Sequence, residues 1–421
     1  MEKLYTFILV LCSVLLLNAQ NDPIPEQVSV GGSYINATFY HLEDGATTSI
    51  EHPDWDIAFD MGQFSAGVIM NEGVARSSTN PFPEPSLYLT TSTDFATADT
   101  AGMTIIYNDE VTWESGAFNQ VADPNDLADI GWGTYGGGGG VTGSRVFVIQ
   151  LRSGVYKKLF FESLDGGVYT FKYANLDGSD EVTATVDKAD YPGKSLAYYS
   201  IENDTELDAE PAEWDLLFTR YKADVGTGTP DYNVTGVLSN AGVSVAQADG
   251  IDPSTIASSF TDFEDDYVDS IAAIGWDWKS FTNGSWNIVG ERVYFVKTAD
   301  EKIWMITFSN FQGSFSGVTT LTRQLMEESS STNNLDKYLS TFKVFPNPAT
   351  DVTNIVFDSK TYNEEAIIQI INPLGQTVFE QQIDMDYGLN ARSVPLDFPS
   401  GLYHVTMRIG NDFATTPLFI K

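Results

Sequence analysis

Outside its carboxylates, this chain carries few side chains able to do chemistry: one cysteine, three histidines and eight methionines in 421 residues. Cys12 lies in an apolar run near the N-terminus. Once that run is cleaved away, disulfides, thiolate metal sites and cysteine nucleophiles are all excluded. A Ser–His–acid triad would have to use His41 or His52, because His404 lies in the C-terminal segment. No nucleophile-elbow glycine pattern surrounds a serine. His41 and His52 flank the loop before an apolar strand and read as exposed loop residues. Met61, Met70 and Met103 offer thioethers able to ligate iron, although Met70 sits in an apolar run, where methionine usually fills core space. Carboxylate pairs of glycosidase type could be drawn almost anywhere in so acidic a chain, so closeness in sequence decides nothing.

The element that must position these groups is written twice. Trp55-Asp56-Ile57-Ala58-Phe59 returns 159 residues later as Trp214-Asp215-Leu216-Leu217-Phe218. Alternation puts Trp55, Ile57 and Phe59 on one face and Asp56 and Ala58 on the other, the period of a strand with one buried face. Upstream, Phe39-Tyr40-His41-Leu42 matches Tyr198-Tyr199-Ser200-Ile201. Downstream, the block from Gly67 to Val74 matches the block from Gly236 to Val243, after ten extra residues that read as a longer hairpin loop. Ile130-Gly131-Trp132 then matches Ile274-Gly275-Trp276, and Arg145-Val146-Phe147-Val148 matches Arg292-Val293-Tyr294-Phe295. The ordered recurrence predicts two tandem domains of one kind, residues 27–175 and 182–325, with Trp55 and Trp214 buried at equivalent places. The period is far longer than that of a solenoid. Asp56 and Asp215 follow the tryptophan in both copies, which points to a shared structural hydrogen bond.

Aromatics make up 13% of the chain, glycine is abundant, and no long window has apolar spacing of three and four. The composition is all-β. A net charge of −36 repels nucleic acid and anionic membranes. Residues 1–19 read as a secretory signal peptide, with Lys3 before an apolar core ending at Leu17 and a cleavage site after Ala19. Leu11 before Cys12 argues against a lipid anchor. No other segment is long and apolar enough to span a bilayer, so the protein is not expected to be an integral membrane protein. The glycine run 136–140 lacks a following helix, so it reads as a hairpin loop and not a phosphate cradle. Residues 77–85 read as a loop, 261–270 as a solvated acidic face or short helix, and 326–340 as a linker.

Residues 341–421 are short strands separated by turns. Phe345-Pro346-Asn347-Pro348, Leu374-Gly375-Gln376, Gly401-Leu402-Tyr403 and the terminal Lys421 together resemble the type A sorting domain of the Bacteroidota type IX secretion system. The resemblance implies an Ig-like sandwich, export across both membranes by that machinery, and release or surface attachment after the domain is clipped off. Both copies resemble the HmuY family of secreted haem-binding proteins. The carriers are the Trp-Asp strand, the Asn71-Glu72-Gly73 and Asn240-Ala241-Gly242 turns, and the Arg145-Val146-Phe147-Val148 strand with Lys157-Lys158-Leu159.

The HmuY resemblance implies an all-β fold and haem or a related tetrapyrrole held between two axial side chains. The positions after Trp132 and Trp276 hold no such ligand here. Haem binding would therefore need Met61, Met70, Met103, His41 or His52 to converge on one pocket. The expected function is that of an exported binding protein and not an enzyme. A structural or adhesive surface protein and, less favoured, a carboxylate-based glycan hydrolase are the competing classes.

Overall fold

The structure, a computed structural model, describes residues 22–74, 83–136, 140–253, 260–327, 335, 338–361, 364–372, 376–409 and 412–421. The signal peptide expected at 1–19, most of the 77–85 loop and Gly375 lie outside them. The regular structure of the described residues is almost entirely antiparallel β-sheet. Two compact units divide the chain after Glu327.

The first unit corrects the expected tandem domains. Strand Ile57–Asp60 of the first copy pairs with Leu196–Ser200 of the second, and Leu216–Ala223 of the second pairs with Asn36–Tyr40 of the first. The result is two central four-stranded sheets of matching order. One runs Thr205–Leu207, Leu196–Ser200, Ile57–Asp60, Val68–Met70; the other runs Thr47–Glu51, Asn36–Tyr40, Leu216–Ala223, Tyr232–Ser239. The outer sheets close the same way, since Ile24–Ser29 pairs with Val318–Glu327 and Val182–Asp187 pairs with Val168–Asn175. Residues 27–175 and 182–325 are therefore not separate bodies. Each lobe takes its opening strands from one copy and most of its sheet from the other. The physical reason is that two copies of one strand motif present equivalent edges, so a strand can pair with its own copy or with the other.

The Trp-Asp strand is buried on both faces, not one. Ile57 and Phe59 enter the first lobe's core beside Phe161 and Tyr169, and Leu216 and Phe218 enter the second lobe's core beside Trp278 and Tyr294. Trp55 and Ala58 face the other way, into a third core between the central sheets, together with Trp214 and Leu217. Trp55 packs edge-on against Tyr198 at 5.0 Å, and Trp214 against Phe39 at 5.1 Å. Replacing such a tryptophan by alanine costs about 3–5 kcal/mol. Trp132 is fully buried as its block suggests, but in the second lobe Trp276 is only half-buried and Trp278, two positions on, is the one that enters the core. The acidic stretch holds a short 3-10 helix, Phe260–Asp266.

The second unit is a sandwich. A three-stranded sheet (Leu339–Phe345, Val352–Ser359, Gly388–Pro395) and a four-stranded one (Thr377–Met385, Glu364–Ile371, Gly401–Ile409, Asp412–Ile420) enclose one core. The expected linker is shorter than 326–340, because strands occupy both of its ends.

Candidate functional site

Of the five candidate iron ligands, only His52 and Met70 are brought together, on the wall of one small cavity. Met61 and Met70 fill the core of the first lobe. Met103 is half-buried just before the strand Thr104–Ile106. His41 bonds Asp44 through Nδ1 at 3.0 Å and lines an open basin with Glu43, Asp215 and Asp300. His52, expected to be exposed, is 2% exposed. It reaches the interior because position 73 is glycine: a Cβ there would stand 2.0 Å from His52 Cε1. Burial and then the charge of Arg220 push the imidazole down to about 3, so it is neutral. Its Nε2 lies 3.3 Å from Thr219 Oγ1, and its Nδ1 has no partner among the described residues. There too, no cluster of three or more His, Cys, Asp or Glu could hold a metal.

His52 and Met70 line one cavity, of about 70 Å³, between the central sheets. Its wall is mostly apolar, with Trp55, Trp113, Tyr198 and Tyr221 on it. The Asn71-Glu72-Gly73 turn forms one corner. Asn71 Nδ2 donates to the carbonyls of His52 at 2.6 Å and Trp55 at 2.7 Å, and Gly73 N donates back to Asn71 Oδ1 at 3.0 Å. The second copy repeats the main contact, Asn240 Nδ2 to Trp214 O at 2.8 Å. Glu72 is buried, accepts from the Asn108 N–H at 3.1 Å, and is pushed up to about 7 by burial. The space suits a few waters; an engineered cavity that takes benzene measures about 150 Å³. A tetrapyrrole does not fit it.

A second concavity, about 370 Å³, lies on the second lobe, in the size range of ligand pockets. One wall is the Leu216–Ala223 and Tyr232–Ser239 hairpin, which contributes Arg220, Tyr232 and Thr235. It is lengthened by the ten residues that the first copy lacks. The other wall is a hairpin, Lys279–Thr282 with Ser285–Ile288, which turns at Asn283-Gly284. Residues 279 and 281 share a face of that hairpin, and Phe281 stands opposite Trp286 with ring centres 5.2 Å apart. Tyr34 closes one end and stacks on Phe311. Tyr232 and Phe281 are each 60% exposed, so their rings are presented to solvent.

Two cations lie in this groove. Arg220 is already engaged, by Glu84 Oε1 at 2.6 Å and Val74 O at 2.7 Å. Lys279 is buried among rings, 4.0 Å from the centre of Trp278 and 4.7 Å from that of Phe311. It donates to Thr235 O, and no carboxylate among the described residues pairs with it; nearby Asp277 is paired with Arg292 at 3.0 Å. Burial pushes the ammonium down to about 7, while Asp277 and the ring faces favour the cation.

In the second unit the motif residues gather at the last strand. Asn347 sits between Pro346 and Pro348. Its Nδ2 donates to Pro417 O at 2.8 Å and its Oδ1 accepts from Phe419 N at 2.9 Å. Lys421 N donates to Ala349 O at 2.9 Å. Gly401 opens the neighbouring strand opposite Ile420, and the buried Tyr403 donates to Pro399 O at 2.9 Å. Residues 343–421 match the family model for the secretion system C-terminal sorting domain. This segment is a type IX sorting domain. The protein is therefore exported to the cell surface or beyond, with the type IX machinery as its partner in transit.

Ahead of the sorting domain, known proteins say little. No curated protein matches the chain. Among solved structures, the crystal structure of dimeric latent PorU from Porphyromonas gingivalis is similar at 8% identity with a TM-score of 0.17. The match covers 94% of this chain and 34% of that one, so the chain spans about a third of that protein's length. No helix among the described residues is long and apolar enough to cross a membrane.

Lys279, Phe281, Trp286 and Tyr232 were not among the residues the sequence reading selected. A signal for three of them exists. Asn283-Gly284, flanked by Lys279, Phe281 and Trp286, is the strongest short-range hairpin signature.

Proposed function

We propose that this chain is an exported binding protein that holds a ring-bearing ligand in the aromatic groove of its second lobe and does no chemistry on it. One observation carries the reading. The groove is lined by Tyr232 and Phe281, both largely exposed, by Trp286 packed on Phe281 and by Lys279, and its lining has no Asp or Glu. A glycosidase needs two carboxyl groups about 5–9 Å apart across its cleft; this groove supplies neither. The likeness of both copies to the HmuY family also supports a binding role.

Haem is the ligand that likeness suggests, and the candidate axial residues do not fit it. They are dispersed over the first lobe's core, its surface, an open basin and a cavity of about 70 Å³. The groove lining contains neither His nor Met.

The test is tryptophan fluorescence and calorimetry on the exported chain with haemin and a panel of ring-bearing anions, comparing the unaltered protein with Tyr232→Ala and Phe281→Ala. A ligand that binds the unaltered chain and is weakened in both variants supports the groove. A ligand that binds all three proteins equally places the site elsewhere, and no binding by any probe favours a structural or adhesive surface protein.

A further inference from the structure

We propose that the groove's ligand is an acidic sugar, a pyranose ring bearing a carboxylate; this rests on the groove being the binding site. The lining interleaves two kinds of group. Tyr232, Phe281 and Trp286 supply rings to the lining and Thr235 and Ser280 supply hydroxyls, while the amide nitrogen of Asn233 is already held by Glu84 Oε2 at 2.7 Å. A sugar ring has the matching duality, with an apolar face of C–H bonds and an edge of hydroxyls. A purely apolar ligand would cover those hydroxyl groups without pairing them, which costs free energy on binding. A metalloporphyrin would want an axial side chain, and the lining offers neither His nor Met.

The carboxylate is read from the charges. Arg220 is neutralised by Glu84, whereas Lys279 has no carboxylate paired with it among the described residues. In a chain of net charge −36, Lys279 lines the groove with no carboxylate partner among the described residues, packed against Trp278 and Phe311, and an anion seated beside it would favour its charged form. The groove also belongs to the second lobe alone. The ten residues that lengthen its hairpin have no counterpart in the first copy, and the place of the Lys279–Thr282 hairpin is taken there by Gly133–Tyr135 and Val141–Gly143, on either side of the glycine run. The difference between the copies is thus concentrated where the sugar would lie.

The experiment uses the full chain with tetragalacturonate, its methyl ester and haemin, read by calorimetry. The acid is expected to bind, the ester to bind about tenfold more weakly, and the difference to shrink as salt rises from about 50 to about 500 mM. Tyr232→Ala and Phe281→Ala, at exposed positions that leave the fold intact, should each weaken the acid about fivefold. Lys279→Met should erase the preference for acid over ester. Because Lys279 is buried and its replacement perturbs the fold as well as the charge, the acid-against-ester comparison on the unaltered chain is the deciding measurement. Equal binding of acid and ester overturns the proposal. If neither saccharide binds while haemin binds and is weakened by Tyr232→Ala, the acidic sugar is overturned and the groove stands. If haemin or a saccharide binds and both aromatic variants bind it unchanged, the groove itself is overturned.

Discussion

The backbone N–H of Leu42 donates to Oδ2 of Asp215 at 2.7 Å, across 173 positions of chain. Asp56 does the same for the other half, accepting from Glu202 N at 2.9 Å. The backbone repeats the symmetry: Asp215 N donates to Tyr40 O, and Asp56 N to Tyr199 O, both at 2.9 Å. Each aspartate of the repeated motif therefore clamps the opening strand of the other copy. These are the shared structural hydrogen bonds expected of the Asp pair, but they run between the copies. Asp215→Ala should destabilise the first unit by about 2–3 kcal/mol, because it strands a buried N–H. Asp215→Asn, which keeps an acceptor, should cost less than about 1 kcal/mol. Urea midpoints of the two variants check this, and equal losses would assign the effect to charge.

Gly73 and His52 make a second test of how the interior is built. An alanine at 73 would overlap the imidazole, so Gly73→Ala is expected to cost about 2–3 kcal/mol. In the His52→Ala background that clash is gone, and the same substitution should be close to neutral. A double-mutant cycle by thermal melting measures the coupling. Additive losses would mean that the glycine is required for some other reason.

Much of this was legible in the sequence, and what was not has a physical cause. The equivalence of Trp55 with Trp214 and of Phe39-Tyr40 with Tyr198-Tyr199 follows from spacing, and the structure keeps it in mirrored ring pairs. The exchange of strands could not be read, since period-two alternation states which face of a strand is buried and not which edge it meets. Burial of His52 was hidden because it depends on a glycine 21 positions away that makes room for the ring. The groove was half legible: its longer hairpin was visible as extra residues, while the partnership of that hairpin with Lys279 is tertiary.

Glu72 gives the first unit a dependence on pH. Burial raises its folded value to about 7 from 4.5, so the folded state binds a proton that the unfolded state releases between those values. Stability from this group is therefore present at low pH and lost as pH rises through 7, by about 3 kcal/mol in all. His52 acts in the opposite sense. Its folded value is about 3 against 6.5, so its contribution is present above pH 6.5 and lost as pH falls. The two slopes oppose each other between about pH 4.5 and 6.5. Glu72→Gln removes one of them. Relative to the unaltered chain, the variant should lose about 3 kcal/mol as pH falls from 8 to 4.5. Urea titrations at both pH values check it; a constant difference between the proteins would mean that Glu72 stays ionised.

Haemin tests whether the resemblance read from the sequence extends to iron. A His–Met or His–His pair gives a six-coordinate, low-spin spectrum, and needs two such side chains on opposite faces of one ring. Here His52 and Met70 line one cavity of about 70 Å³, too small for a porphyrin, Met61 is enclosed by the first lobe's core, and His41 is held by Asp44 at an open basin. Reaching an iron from any of the first three would mean opening a core whose aromatic side chains are each worth about 3–5 kcal/mol. Haemin added at pH 7 is therefore expected to give no low-spin six-coordinate Soret band, and the spectrum should be unchanged in the His41→Ala, His52→Ala double variant. Any shift that does appear should respond to Tyr232→Ala, as stacking in the groove would. A low-spin spectrum that survives loss of both histidines would point to methionine ligation and to an opening of the first lobe, which a parallel Met61→Leu, Met70→Leu variant would then abolish.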